Sequence, residues 1–398
     1  MSDVPMSDSR TISRITCEVP HRLSSRVREA LQMCGVQGGF VQTSRSVQIR
    51  ERSLPFLTAS ATSLEETLSD TYYIHVTPGH EQKVLERLIV HVGLQKADRG
   101  TIYSEELRYL GDPQLLGIGP DSVDEGATGN DGLNPQTSRR LPIVNDIAGI
   151  SCFVPRGKGS LVARVALEMG ASVPSVMFGR GTGWRDRLGL VRIAIPAEKE
   201  IVTLTSPGRD AEVLAQQIVQ GARLNQPGAG FVFLHSLKRG LVNIHLWLGS
   251  QRHAASINQI VAAVDALWGD TGWRSRFTVE EESPLVAGDT HGFMRDLRVV
   301  TLLTREGQTR DILRAAMEAG AGGATTSGVT QFFVSPSGRH EAPGAVEMTS
   351  IIVPEPRLDR ITELMLAATS DRSEGSVAFP CIFVGTVPWA YSYRRRTS

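Results

Sequence analysis

Residues 170–183 read GASVPSVMFGRGTG and residues 222–233 read ARLNQPGAGFVF, and the chain between and around them has a definite order. Residues 146–154 (DIAGISCFV) form a strand-like run. Residues 160–169 (SLVARVALEM) place Leu161, Val162, Val165 and Met169 on one helical face, and Gly170 ends that helix. Residues 171–179 are extended, and Gly181-Thr182-Gly183 is expected to open a loop holding Trp184, Arg185, Asp186 and Arg187. A third strand over 200–205, a second helix over 210–222 and a fourth strand over 230–235 complete the set. The order is β-α-β-β-α-β, a ferredoxin-like supersecondary unit.

Outward from this stretch the same plan recurs. In residues 11–110, strands are expected over 12–19, 40–49, 72–76 and 101–104. Helices over 23–33 and 81–92 carry their apolar side chains at helical spacing (Val27, Ala30 and Leu31; Val84, Leu85, Leu88 and Val92). A polar loop is expected over 50–69. In residues 294–393, strands over 297–303, 324–334, 346–353 and 377–384 alternate with helices over 308–319 and 355–368. Gly35, Gly170 and Gly320 mark equivalent helix ends, 135 and 150 residues apart.

Two stretches break the plan. Residues 111–144 are rich in Gly, Asp, Asn, Pro and Ser, and read as a flexible linker. Residues 241–293 hold an apolar strand extension over 241–248, a helix over 251–268 and the acidic run Glu280-Glu281-Glu282, an insertion whose apolar helix must dock on something.

The composition narrows the function. The 398 residues carry 42 basic and 42 acidic side chains, and zero net charge argues against bulk electrostatic binding to nucleic acid or an anionic membrane. No apolar run approaches the length of a membrane-spanning helix, and the polar start MSDVPMSDSR lacks the apolar core of a signal peptide, so a cytoplasmic protein is expected. Cys17, Cys34, Cys152 and Cys381 show no C-x-x-C spacing and read as buried free thiols, not zinc ligands. Gly157-Lys158-Gly159-Ser160 lacks phosphate-loop spacing, and no nucleophile elbow, H-E-x-x-H or EF-hand loop is present, so no enzyme activity is expected. His235 and His245 lie on apolar strands and read as core histidines, and the basic end Arg394-Arg395-Arg396 reads as a solvated tail.

The two glycine clusters at 170–183 and 222–233 resemble those of the P-II signalling proteins, whose chains carry G-x-x-G-x-T-x-x-x-x-x-G-F-G before a long loop and A-R-T-G-x-I-G-D-G-K-I-F after the second helix. The resemblance is clearest in the middle unit, weaker in the first and topological in the third. It implies an α+β fold of three ferredoxin-like units packed as an intramolecular pseudo-trimer, sheets inward and helices outward, in a monomeric chain. It also implies an inter-unit cleft for a small anionic ligand, an adenine nucleotide in that family, with glycine N–H groups and basic side chains holding the phosphates. The matching positions are Ser175, Gly181, Gly183, Gly228 and Gly230, with Arg180, Arg185 and Arg187 as sources of charge; Thr325 matches Ser175 in the third unit, and the first has Phe40 there. The chain departs from the family at its signature lysine (Phe231, Thr101 and Val377 in the three units), its arginine pair (Val242 and Ile244) and its glutamine (Arg185). The function implied is a sensor or adaptor that regulates a partner such as a transporter or metabolic enzyme. The alternatives are a ligand-free scaffold and an amino-acid-binding regulator resembling ACT domains, which share the β-α-β-β-α-β order.

Overall fold

The computed structural model describes residues 9–53, 60–96, 98–111, 116, 141–183, 198–241, 292–334, 344–368 and 380–393. The expected linker (apart from Gly111, Leu116 and residues 141–144), the helix over 251–268, Arg185, His245 and the basic end lie outside the described residues.

The first segment runs β1 (Arg10–Pro20), α1 (Ser24–Met33), β2 (Gly38–Ser53), β3 (Ser60–Val76), α2 (Glu81–Val92) and β4 (Thr101–Leu110). The second runs β5 (Ile147–Pro155), α3 (Gly159–Glu168), β6 (Ser175–Gly183), β7 (Glu198–Pro207), α4 (Ala211–Gly221), β8 (Phe231–Ser236) and a short β9 (Arg239–Leu241). The third begins with β10 (Phe293–Met294) and β11 (Leu297–Arg305). It continues through α5 (Thr309–Glu318), β12 (Gly323–Phe333), β13 (Gly344–Pro354), α6 (Leu358–Ala367), β14 (Cys381–Val387) and β15 (Trp389–Ser392). All named strands belong to one antiparallel sheet, and within each segment the four main strands lie in the order four, one, three, two.

Alternation along the first strand of each segment decides what faces what. Ile15, Cys17 and Val19 turn toward the helices and join Val27, Leu31, Leu85 and Leu88 in one core. Ile150, Cys152 and Val154 do the same beneath α3 and α4, and Val300 and Leu302 beneath α5 and α6. The opposite faces of the strands meet between segments. Ile12, Phe40, Tyr109, Leu303 and Phe383 pack the first segment on the third, and Phe233, Leu297, Val299 and Ala390 pack the second on the third.

Strand pairing ties the segments in a cycle. The end of β4 pairs with β14, β9 pairs with β4, and β15 pairs with β8. The second strands also meet: β12 pairs with β6 and with β2, and β2 pairs with β6.

One device is used three times. An acidic residue on each segment's third strand serves the start of that segment's first helix. Asp70 accepts from the Ser24 hydroxyl and lies 2.8 Å from His21 Nδ1. Glu200 accepts from the backbone N–H of Gly157 (3.0 Å) and Gly159 (2.6 Å). Glu347 accepts from Gly307 N–H (3.3 Å) and the Thr309 hydroxyl. A carboxylate there satisfies otherwise unpaired donors and complements the helix dipole.

Several boundaries differ from expectation. Gly181-Thr182-Gly183 does not open a loop: β6 continues to Gly183 because it pairs with Gly323–Thr326 of the third segment. Residues 50–69 are mostly strand, since the β2–β3 ladder runs out to Ser53 opposite Ser60. β4 runs on to Leu110, where β14 supplies the partners for its last residues. In each case the added ladder bonds come from pairing, which local polarity does not reveal.

Gly100 and Gly230 precede the fourth strands of the first two segments at φ +122° and +154°. A Cβ there would lie 1.9 Å from the Glu18 carbonyl oxygen and 2.8 Å from that of Phe153. Gly100→Ala is therefore expected to lower the stability of the whole chain by about 1–3 kcal/mol, through strained backbone and forced separation of β4 from β1. Chemical denaturation checks this, and a midpoint equal to that of the wild type refutes it.

Candidate functional site

Two regions gather polar chemistry. The first is an open cleft of about 1120 Å3 between the β6–β7 strands and the start of α5. Among the described residues five basic side chains line it (Arg156, Arg180, Lys199, Arg310 and Arg314) against three acidic ones (Glu198, Glu306 and Glu347). Arg156 is paired with Glu198 at 2.6 Å, and Arg314 with Asp311 at 2.8 Å. Glu347 is engaged at the start of α5. Arg180 and Arg310 are exposed and have no ion-pair partner among the described residues. Arg180 is held in place by strand pairing on both sides, opposite Glu198 and Thr326. Arg310 and Arg314 stand one helical turn apart on the outer face of α5, whose inner face is Ile312, Leu313, Ala316 and Met317. The exposed ring of Phe178 forms part of the wall, with the Arg156 and Arg45 guanidinium groups 5.5 Å and 5.4 Å from its centroid.

The second region is the interior where the three strand faces meet. Its cavity of about 80 Å3 is lined by strand residues of all three segments. At one end Arg14 reaches Glu105, with Nε and Nη2 2.8 Å and 2.7 Å from Oε1. His235 Nδ1 lies 3.7 Å from the other Glu105 oxygen. Burial alone would raise the Glu105 carboxyl, but Arg14 and His235 outweigh it and hold it at about 2. His235 fits because the residue opposite it on β5 is Gly149, where a Cβ would lie 2.1 Å from the ring. At the other end, burial pushes Glu18 up to about 7, against hydrogen bonds from Ser175 and Thr203. His75 is buried beside this region, stacked on Phe383 at 4.5 Å, and burial lowers it to about 3.

The structure separates the residues singled out from the sequence. Arg180 lines the cleft, while Gly181 and Gly183 lie on β6 beside it, in the pairing with β12. Ser175 is buried, and its hydroxyl donates to Glu18 Oε2 at 2.8 Å, joining the second segment to the first. Gly228, at φ +71°, and Gly230 shape the turn into β8 and do not line the cleft. Arg185 and Arg187 lie outside the described residues. Sequence reasoning missed Arg156, Lys199, Arg310 and Arg314. The readable signal was a turn of the same shape before two helices, Arg156-Gly157 and Arg305-Glu306-Gly307, followed in the second case by arginines at i and i+4.

No family model matches the chain, and no curated protein matches it. Among solved structures, aspartate kinase from Synechocystis aligns at 10% identity with a TM-score of 0.20, over 95% of this chain and 43% of that one. This chain thus spans less than half of that protein's length, and a likeness at that TM-score carries nothing for fold or function.

The interior groups set an acid limit on stability. His75 has a folded-state value near 3, below the ordinary histidine value, so between about pH 6.5 and 3 the unfolded chain binds the extra proton. Glu105, held at about 2, adds a second proton taken up on unfolding between about pH 4.5 and 2. Both contributions are present at neutral pH and fall away as the pH drops. Glu18, raised to about 7, acts the other way in the upper part of this range. His75→Phe, which keeps a ring against Phe383, is therefore expected to gain stability relative to the wild type as the pH falls from about 6.5 to 4.5, read by denaturant titration at several pH values. An unchanged slope in that window refutes the assignment.

Proposed function

We propose that this chain is a non-enzymatic regulatory protein that binds a small, multiply charged anion in the cleft between its second and third segments and passes the binding on to a partner protein. The observation that carries this reading is the convergence of five basic side chains on one cleft among the described residues, two of them without an ion pair there. Guanidinium groups in a fixed array favour carboxylate and phosphate groups through charge-assisted, bidentate hydrogen bonds. An anion there would bridge β6 and α5, elements of different segments, and so bias how those segments sit together.

The architecture belongs to the same reading. The three segments are taken as repeats of one ferredoxin-like unit, packed as an intramolecular pseudo-trimer with strands inward, in a monomer of 43.2 kDa. The strand order in each segment, the three helix-serving carboxylates and the cyclic strand pairing support it. On this view the chain is related to the P-II signalling proteins, an adenine nucleotide is one candidate anion, and a transporter or metabolic enzyme in the cytoplasm is the kind of partner expected. The engagement of Ser175 with Glu18 favours a second reading, in which the fold survives as a ligand-free scaffold.

Thermal-shift measurements with ATP, ADP, AMP, 2-oxoglutarate, inorganic phosphate and amino acids separate these readings. A ligand at about a hundred times its Kd stabilises the native state by about 2.7 kcal/mol. At least one anion is expected to raise the melting temperature, and the double charge reversal Arg180→Glu with Arg310→Glu is expected to abolish that rise. No response to any anion returns the scaffold. A response to neutral amino acids that survives the charge reversal returns the amino-acid-binding regulator. Light scattering near 43.2 kDa is expected for the architecture, and a mass of three chains would overturn it.

A further inference from the structure

The interior cavity carries a chemistry separate from the outer cleft. At one end Arg14 and Glu105 neutralise each other. Glu18 lies on the same strand face as Arg14 but four residues away, roughly 13 Å along an extended chain, beyond the reach of that pair. Its partners are hydroxyls: Ser175 Oγ donates at 2.8 Å and Thr203 Oγ1 at 3.4 Å. No basic group forms an ion pair with Glu18 among the described residues.

Further oxygen donors surround the same space. Thr16, Tyr103, Ser151 and Thr301 are each more than nine-tenths buried and line the cavity. None of their side chains has a hydrogen-bond partner among the described residues, and their oxygens face the open space of the cavity. Thr16 stands two residues from Glu18 on one strand face, directly opposite both Tyr73 and Tyr103 on the neighbouring strands. Hydroxyls that face such a space are partnered by whatever fills it, water or a small solute. Glu18 also lines an outward crevice of about 60 Å3, together with Ser46, Thr67, Thr101, Arg22 and Arg50.

We propose that the cavity at the junction of the three strand faces binds a small monovalent cation, held by the Glu18 carboxylate and by the hydroxyls of Thr16 and Tyr103. Oxygen donors select hard cations. One carboxylate without a counter-charge balances a single positive charge, whereas the hard divalent ions collect several carboxylates. Soft metals are disfavoured: His235 is turned to Glu105, Cys17 faces the helices, and of the two methionines that line the cavity, Met177 and Met348, the first accepts through its sulfur from the Tyr73 hydroxyl. The cavity's size suits an ion with one or two waters and excludes a nucleotide. Because Ser175 and Thr203 come from the second segment and Glu18 from the first, an ion here would fasten one segment to the other.

The test is the melting temperature of the full chain at pH 8 in sodium, potassium, ammonium or tetramethylammonium chloride, each at about 0.15 M so that exposed charges are screened alike. At least one small cation is expected to raise the midpoint by about 2 °C over tetramethylammonium. Glu18→Gln is expected to remove that difference, and Tyr103→Phe to reduce it by at least half. Equal midpoints in all four salts overturn the proposal, because they leave the cavity to water alone. A difference that persists undiminished in Tyr103→Phe and in Glu18→Gln also overturns it. If Glu18→Gln does not fold, Tyr103→Phe decides by itself.

Discussion

A four-stranded sheet with both its helices on one face leaves the other face bare, and that face must be covered. In this chain the bare faces cover one another. Ile12, Phe40 and Phe383 meet between the first and third segments, and Phe233, Val299 and Ala390 between the second and third. The cyclic pairing of β4 with β14, β9 with β4 and β15 with β8 follows from the same need. Each fourth strand that would otherwise end the sheet as an open edge finds a partner in another segment.

That mutual burial also places the polar groups. At one position on the first strands, the cross-strand pairs are Arg14 with Glu105, Gly149 with His235, and Val299 with Gly385. The three pairs differ in charge and volume, yet they contribute to one interior. Glycine on β5 makes room for the histidine ring, and glycine on β14 keeps Val299 in contact without overlap. Separate copies of one sequence would have to place the same charge three times in a confined volume. A single chain places it once, sets His235 beside it and fills the remaining positions with glycine and valine, at a much smaller desolvation cost.

The outer cleft obeys a different rule. Its arginines are exposed, so ion pairs such as Arg156–Glu198 contribute little to stability. What the fold supplies is position: Arg180 is fixed between β7 and β12, and Arg310 and Arg314 by the packing of the opposite face of α5. The buried Glu105 carboxylate in the centre thus meets His235 of another segment, whereas Arg180 and Arg310 at the seam are exposed, with no ion pair among the described residues.

The sequence by itself determined the elements. Helical spacing of Val84, Leu85, Leu88 and Val92, alternation through Ile15, Cys17 and Val19, and a glycine after each first helix are local signals. They yield the β-α-β-β-α-β order three times over, because propensity and amphipathic periodicity act within a dozen residues. The seams and the sites were decided by the tertiary structure alone. Gly181-Thr182-Gly183 looks like a loop and is a strand because β12 lies beside it. Ser175 looks like a ligand contact and instead bonds a glutamate 157 residues away. Gly228 and Gly230 look like a phosphate cradle and shape a turn against the Phe153 carbonyl. Arg180 was legible as a cleft residue, whereas its companions on α5 were not, since nothing local records which helix of another segment will face a given strand. Those contacts depend on which bare face meets which, and only folding of the whole chain selects that.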